Sequence, residues 1–228
     1  MDDHSMDFKE AFIVLNSLHK KRTKGKKFDY SKVKESEEMD KYVKVLSEIL
    51  NHVDKNLGED FYRTKGVFRL SPSEKKLNEI KKHIENDEEL NYEEYSVIDL
   101  SSTIKFILRD KIDGLFDNFI LEQIFGLEEI DNDDADDLLE SVRVIIEPKK
   151  SKIFIDILEI LAKLSFNSIK NKMSYKNLAI IFCPVFIGKT NLIEFDYNEI
   201  ISYSNIIGLF IGATLRKMNS ALEENKLK

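Results

Sequence analysis

An arginine beside a helix-start signal is the first feature of the sequence that could do chemistry. Arg69 lies in the stretch "KGVFRLSPSE", in which Ser71 and Glu74 have the spacing of a capping box and Pro72 suits a first helical position. We therefore expect Arg69 on a short, firmly held loop between two helices. From there a guanidinium could reach into another protein's active site and neutralise charge on a transferring phosphoryl group, because it stays protonated. From this loop alone, a surface salt bridge is the commoner role.

The other motifs that could carry chemistry are incomplete. The stretch "CPVFIGKT" ends like a phosphate-binding Walker A loop, but Cys183 stands where the first glycine is required and Pro184 removes a backbone amide. A turn that ends a helix at Pro184 is the better interpretation. The acidic stretch "DNDDADDLLE" lacks the glycine and distal glutamate of a calcium loop and is typical of a helix start. The four histidines are scattered, so the sequence predicts no metal site, and it shows no catalytic triad.

Composition and charge limit the function classes. The chain of 228 residues has 35 basic and 42 acidic side chains, a net charge of −7, which argues against a nucleic-acid-binding protein. A basic run at residues 19–27 is more typical of a solvated linker than of a membrane-surface or nucleic-acid patch. Cys183 is the only cysteine and the amino terminus shows no secretion signal, so we expect a cytoplasmic protein. Residues 200–215, the least charged stretch, are fewer than the roughly 20 that span a bilayer and indicate a buried helix.

Helical periodicity predicts the elements that must position Arg69. Apolar residues recur at helical spacing at about residues 7–20, and again in a segment that ends at Gly58. Further stripes occur along residues 97–109 and 138–164 and in a short helix, "YKNLAIIF", that stops at Pro184, and the last helix begins near Tyr197. Glycine and proline are few, 8 and 3, which argues against a β-sandwich or barrel. The sequence therefore predicts an all-α protein, a single-domain bundle of about eight or nine helices.

Three separate segments resemble the RhoGAP domain, the domain of proteins that activate Rho-family GTPases. "KGVFRLSPS", which contains Arg69, is similar to the family's arginine loop. "TIKFILRD", residues 103–110, is similar to the family's "L-K-x-x-L-R-E" helix. "NKMSYKNLAIIFCPVF", residues 171–186, is similar to "N-K-M-T-x-x-N-L-A-x-x-F-G-P-N-L". The three occur in the family's order, and the resemblance covers roughly residues 40–220, which implies a RhoGAP-like fold.

The resemblance implies a role for each matching residue. Arg69 would be an arginine finger, inserted in trans into a Rho-type GTPase to stabilise the transition state and orient the glutamine that positions water. Arg109 would brace the finger loop, Lys105 would contact the GTPase surface, and Asn177 would hold the same region by hydrogen bonds. GTP and Mg²⁺ would belong to the partner, so no cofactor of its own is expected. The implied function is stimulation of GTP hydrolysis by a Rho- or Rac-type GTPase, in signal transduction and cytoskeleton regulation.

Departures from the family pattern leave other functions open. Cys183 and Val185 replace the glycine and asparagine of "G-P-N", and the valine loses a polar contact with the GTPase typically worth about 0.5–1.5 kcal/mol. The usual "L-P-x-P-L" loop is "KIDGLF" here, and we expect it to be looser without its prolines. One alternative is a catalytically weak or inactive GTPase-binding module of the same fold. Another is a helical scaffold for a different partner.

The expected organisation has three parts. Residues 1–39 would form an N-terminal helix and basic linker, residues 40–220 a RhoGAP-like domain, and residues 221–228 a C-terminal tail. The first helix is expected to pack on the core, although docking to a partner or a membrane stays open. We expect a monomer that binds a Rho-family small GTPase and no nucleic acid. It would have no integral membrane segment, and peripheral membrane association stays open.

Overall fold

The computed structural model of the chain describes residues 6–20, 37–125, 127, 129–193 and 195–226. Within these ranges it contains twelve α-helices and no strand. The helices are α1 (Phe8–Lys20), α2 (Glu37–Asn51), α3 (Glu59–Arg63), α4 (Glu74–Glu85), α5 (Val97–Phe106), α6 (Asn118–Ile124), α7 (Asn132–Ile145), α8 (Pro148–Phe166), α9 (Ser168–Asn171), α10 (Tyr175–Ile187), α11 (Lys189–Leu192) and α12 (Tyr197–Lys226). Two of them, α2 and α5, continue as short π-helical segments, His52–Leu57 and Ile107–Lys111.

The all-α prediction is confirmed for the described part of the chain. Three of its helices, α3, α9 and α11, have only four or five residues. The other nine are longer, which agrees with the predicted bundle of about eight or nine helices. The second predicted helix ends at Gly58, as expected, because the π-helical segment carries α2 on to Leu57.

A cluster of phenylalanine rings forms the centre of the core. Phe154 of α8 contacts Phe116, Phe186 and Phe210 at ring-centroid distances of 5.5–5.9 Å. Phe186 of α10 also contacts Phe182 at 5.6 Å, and all five rings are buried. Such edge-to-face pairs contribute roughly 0.5–1.5 kcal/mol beyond the burial of their area. The core therefore holds α10 firmly, and α10 forms one wall of the site described below.

The N-terminal helix packs on this core. Ala11 and Leu15 of α1 are buried, and α1 packs against α7. Phe12 stacks on Phe119 of α6 with centroids 6.0 Å apart. The expectation that this helix packs on the core is thus confirmed. Residues 21–36 of the predicted linker, including 21–27 of the basic run, lie outside the described residues, whereas 37–39 belong to α2.

The last helix begins at Tyr197, as predicted, and extends further than expected. It continues to Lys226, through most of the segment predicted as a tail. Most of residues 200–215 are buried, including Ile207 and Phe210, as expected of a core helix. Within the described ranges, no helix combines the length and apolar character that crossing a bilayer requires.

Two helix boundaries differ from the predictions. The capping box predicted at Ser71 and Glu74 is wrong: the N-cap residue is Ser73, which has an extended backbone, and α4 begins at Glu74 without a side-chain cap. A capping box starts α5 instead, where Ser96 and Asp99 exchange hydrogen bonds of 3.1 and 3.2 Å.

The second difference concerns the end of α10. The helix continues through Pro184, where we expected it to stop, and ends at Gly188. Val185 and Phe186, which follow the proline, are both buried. Burying such side chains contributes about 1.5–3 kcal/mol each, which offsets the helical hydrogen bond that a proline cannot donate.

Candidate functional site

The Arg69 loop, residues 64–73, connects α3 to α4 and turns tightly at Gly66. This glycine has φ of +72°, a conformation that costs glycine little. Its carbonyl oxygen accepts hydrogen bonds from the amides of Arg69 and Leu70, both at 2.9 Å. A Cβ atom at Gly66 would lie 2.8 Å from Cγ of Leu70. The positive φ therefore favours glycine at this turn, whereas the exposed side chain of Leu70 could move away from a Cβ atom.

Asn171 fastens the Arg69 loop to the core, a role the sequence did not reveal. Its side chain is fully buried and donates to the carbonyl oxygens of Tyr62 and Leu164, both at 2.8 Å. The side-chain oxygen accepts from the amide of Met173 at 2.7 Å. The Asn171 carbonyl accepts from the amide of Gly66 at 2.9 Å. One buried residue thus joins α3, α8 and the start of α10 to the loop. A signal was present, since Asn171 is the asparagine of the "N-K-M" segment.

Phe68 is the second anchor of the loop, directly before Arg69. Its φ of +66° is uncommon for a residue with a side chain. The ring is buried and contacts Phe182 and Phe61 edge-to-face, at centroid distances of 4.7 and 6.0 Å. Burial of the ring contributes about 1.5–3 kcal/mol, against a cost of roughly 1–2 kcal/mol for the left-handed backbone. The buried ring therefore fixes the backbone from which the exposed Arg69 side chain extends.

Lys105 braces the loop from α5. Its ammonium donates to the carbonyl oxygen of Phe68 at 2.5 Å. Burial, together with the nearby charge of Arg109, lowers the pKa of Lys105. The resemblance implied that Arg109 would brace the loop and that Lys105 would contact a GTPase. In the structure Lys105 itself braces the loop, because its half-buried ammonium needs an acceptor and finds one there. That Lys105 also contacts a GTPase stays a prediction.

Arg109 is the more exposed member of the pair. Its side chain is 47% exposed and forms an ion pair with Asp110 at 2.8 Å. Among the described residues, Arg109 makes no hydrogen bond to the Arg69 loop. That Arg109 contacts a GTPase stays a prediction.

The Arg69 groove is a depression of about 280 Å³ between the Arg69 loop, α4, α5 and α10. Four of its lining side chains are basic and one is acidic: Arg69, Lys81, Lys105, Arg109 and Asp110. The groove is therefore locally positive on a chain whose net charge is −7. Among the described residues, the Arg69 guanidinium has neither a hydrogen-bond nor an ion-pair partner. The arrangement presents the Arg69 guanidinium, on a braced loop, to whatever occupies the groove.

The α10 wall of the Arg69 groove is apolar. Ile181, Pro184 and Val185 line it, and Val185 is only 3% exposed. The position at which the family pattern has an asparagine is thus an apolar surface here. Contact between Val185 and a GTPase also stays a prediction.

Asn177 does not have the role that the resemblance implied. It lies exposed in the first turn of α10, where its backbone amide donates to the hydroxyl of the N-cap residue Ser174 at 3.3 Å. Its side chain makes no hydrogen bond to another described residue. The buried hydrogen bonds expected of it are made by Asn171, which lies six positions earlier and faces the core. Asn177 therefore holds no part of this region by side-chain hydrogen bonds to described residues, and its contact with a partner stays a prediction.

The loop "KIDGLF" is held firmly despite its missing prolines. The amides of Leu115 and Phe116 both donate to the carbonyl of Phe186, at 2.8 and 3.0 Å. The ammonium of Lys150 donates to the carbonyl of Gly114 at 2.9 Å. These hydrogen bonds hold the loop in place without its prolines, and whether it is looser than the family's loop stays a prediction.

The stretch "CPVFIGKT" does not form a phosphate-binding loop. Its first five residues are helical, and Gly188 passes so close to the neighbouring loop that a Cβ atom there would lie 2.2 Å from the carbonyl oxygen of Asp113. The backbone at this glycine is therefore packed against protein, and the turn that ends α10 lies here, four residues after the predicted position at Pro184. Among the described residues, no group of His, Cys, Asp and Glu side chains could hold a metal ion.

The structure is thus an all-α bundle that presents an arginine beside a basic groove. Sequence comparison identifies its family. The model of the RhoGAP domain matches residues 44–191. The chain therefore belongs to the RhoGAP domain family. Rho GTPase-activating protein gacN of Dictyostelium discoideum is 28% identical over 177 residues, which cover 74% of this chain. Rho GTPase-activating protein gacHH of the same organism is 31% identical over 147 residues, or 61% of this chain. The chain spans only 28% and 9% of the lengths of these two relatives.

Solved structures show the same fold. Human Rho GTPase activating protein 15 superposes with a TM-score of 0.64 at 18% identity, covering 73% of this chain and 79% of that one. The BH domain from GRAF, the GTPase regulator associated with focal adhesion kinase, superposes with a TM-score of 0.63 at 16% identity, covering 79% and 97%. At these identities the likeness concerns the fold alone.

Proposed function

We propose that this chain stimulates GTP hydrolysis by a Rho- or Rac-type small GTPase, with Arg69 as an arginine finger supplied in trans. The observation that carries the proposal is the exposed Arg69 guanidinium, which has no partner among the described residues. It extends from a loop fastened by Asn171, Phe68 and Lys105. Family membership supports the partner class.

The proposed role of Arg69 is electrostatic stabilisation of the transition state. During hydrolysis, negative charge moves within the phosphate groups of GTP, and a guanidinium can donate to two oxygens at once without changing its protonation state. Fingers of this kind contribute about 10³–10⁵ in rate, which corresponds to roughly 4–7 kcal/mol of transition-state stabilisation. A donor must be held in place to act in this way, because small misplacements cost large factors in rate.

The Arg69 groove would contribute to binding, because its positive charge complements acceptor oxygens on the surface of a partner. Its basic side chains outnumber its single carboxylate, so a partner with acceptor oxygens would be attracted to it on an otherwise acidic chain. The chain would contribute no cofactor, since GTP and Mg²⁺ would belong to the GTPase. We place this activity in the cytoplasm, in a monomer, with signal transduction and regulation of the cytoskeleton as its setting.

A second candidate function is binding without acceleration. Val185 favours it, because the groove wall lacks the hydrogen-bonding group that the family pattern places there. A polar contact of this kind contributes about 0.5–1.5 kcal/mol. That is smaller than the contribution of the finger, so we rank GTPase activation first.

Phosphate release from a panel of GTP-loaded Rho- and Rac-type GTPases tests the proposal. We expect the wild-type chain to accelerate at least one of them and Arg69→Ala to abolish the acceleration. Arg63→Ala is the matched control, since Arg63 is an exposed arginine of α3 that pairs with Glu59 and lies outside the groove. Binding with no acceleration by the wild-type chain would favour the second candidate, and no binding to any member would contradict both.

A further inference from the structure

Three consecutive residues of α5, Ser101, Ser102 and Thr103, carry hydroxyl groups that differ in their hydrogen bonding. The hydroxyl of Ser101 donates to the carbonyl of Ile98 at 3.0 Å, and that of Thr103 donates to the carbonyl of Asp99 at 2.9 Å. Both satisfy themselves within the helix, which is the usual solution for such residues. Ser102 lies between them and does not: its Oγ is buried and has no hydrogen-bond partner among the described residues.

The location of Ser102 explains why this difference matters. Ser101 and Thr103 are completely buried in the core, whereas Ser102, at 7% exposure, lines the Arg69 groove. It shares the groove with Arg69 and with Val185 of the apolar wall. An unpaired buried hydroxyl is unfavourable in the free protein, so an alanine at this position would fold at least as well. The hydroxyl therefore has no evident use in the free chain.

We propose that Ser102 contributes to affinity for the GTPase by donating a hydrogen bond to an acceptor oxygen of the docked partner. This inference rests on the proposed function. The basic side chains around the groove favour an entering carboxylate or carbonyl, and a hydroxyl can donate to either. Ser102 would thus supply a polar contact that the family pattern assigns to the wall occupied here by Val185.

The contact requires one local adjustment. The Oγ atom is covered in the free protein, so the Ser102 side chain must rotate to another staggered rotamer when the partner docks. The hydroxyl gives up no hydrogen bond in that rotation. Rotation of the Ser101 or Thr103 side chain would break a hydrogen bond within the helix. These two residues therefore differ from Ser102 in their position in the core and in the free energy that rotation would require.

Paired alanine variants test the inference. Ser102→Ala removes the proposed contact, and Ser101→Ala removes the neighbouring hydroxyl that faces the core. Affinity for the best-responding GTPase, loaded with a non-hydrolysable GTP analogue, is measured for both variants together with the midpoint of thermal unfolding. Ser102→Cys is a third variant, because it keeps nearly the same volume but forms weak hydrogen bonds.

We expect Ser102→Ala and Ser102→Cys to bind roughly 3- to 10-fold more weakly while unfolding at or above the wild-type temperature. Ser101→Ala should bind normally and unfold at a lower temperature. Unchanged affinity in Ser102→Ala, or an equal loss in Ser101→Ala, would overturn the inference. The same affinities are measured in the Arg69→Ala background. If the wild-type chain binds without accelerating hydrolysis, the proposed role of Arg69 is refuted, and the affinity of Ser102→Ala still tests the role of Ser102. If the chain binds no Rho-type GTPase, both proposals are overturned.

Discussion

Replacing Asn171 by alanine should destabilise the protein and weaken its presentation of Arg69. The substitution removes three side-chain hydrogen bonds, of 2.7–2.8 Å, in a fully buried position. At about 0.5–1.5 kcal/mol for each, and with buried backbone groups left unpaired, we expect a loss of roughly 2–4 kcal/mol in the free energy of unfolding. Domains of this kind are typically stable by about 5–15 kcal/mol, so the variant should still fold.

The assay is urea unfolding followed by far-ultraviolet circular dichroism, which suits a helical chain without tryptophan. Asn177→Ala is the matched control, because Asn177 is exposed and makes no side-chain hydrogen bond to another described residue. Its free energy of unfolding should change by less than about 0.5 kcal/mol. At a temperature at which both variants are folded, Asn171→Ala should also accelerate GTP hydrolysis about 10- to 100-fold less than the wild type. Equal unfolding midpoints for the two variants would refute the anchoring role of Asn171.

Three further predictions concern the α10 side of the molecule. Val185→Asn should lower the free energy of unfolding by about 1–3 kcal/mol, because it places an amide in the apolar wall. It should also raise GTPase acceleration by up to roughly 10-fold, because it restores the asparagine of the family pattern. An unchanged rate would show that other residues compensate for the valine. Gly188→Ala should lower the unfolding midpoint strongly, since its Cβ would lie 2.2 Å from the carbonyl oxygen of Asp113 and φ is +86°; wild-type stability would contradict that close approach. Burial raises the pKa of Cys183 to about 11, so at pH 8 the folded protein should resist a thiol reagent that labels it readily in urea; rapid labelling of the folded protein would be inconsistent with this burial.

Local signals in the sequence predicted much of the fold. Periodic apolar residues predicted the helices, including the start of α12 at Tyr197 and the end of the second helix at Gly58. These predictions succeed because an amphipathic stripe depends only on residues within one element. The segment around Arg69 was found through its position before a helix, although the expected cap at Ser71 does not form.

The support of the site could not be predicted in the same way. Lys105 and Arg109 lie one turn apart, so spacing alone cannot decide which of them reaches the loop and which faces solvent. Asn171 and Asn177 are chemically identical, and only the packing of α8 and α10 decides that one is buried and the other exposed. The unpaired hydroxyl of Ser102 likewise depends on tertiary contacts. Roles that depend on burial become visible only in the folded structure.

The most direct test of the finger is single-turnover GTP hydrolysis at a saturating concentration of this chain. Saturation separates chemistry from binding, since an interaction made only in the transition state changes the maximal rate and not the affinity. We expect Arg69→Ala to lose about 10³-fold or more of the acceleration, with affinity for the GTP-bound partner within a few-fold of the wild type, while Arg63→Ala behaves as the wild type. Acceleration that survives in Arg69→Ala would contradict the role of this guanidinium.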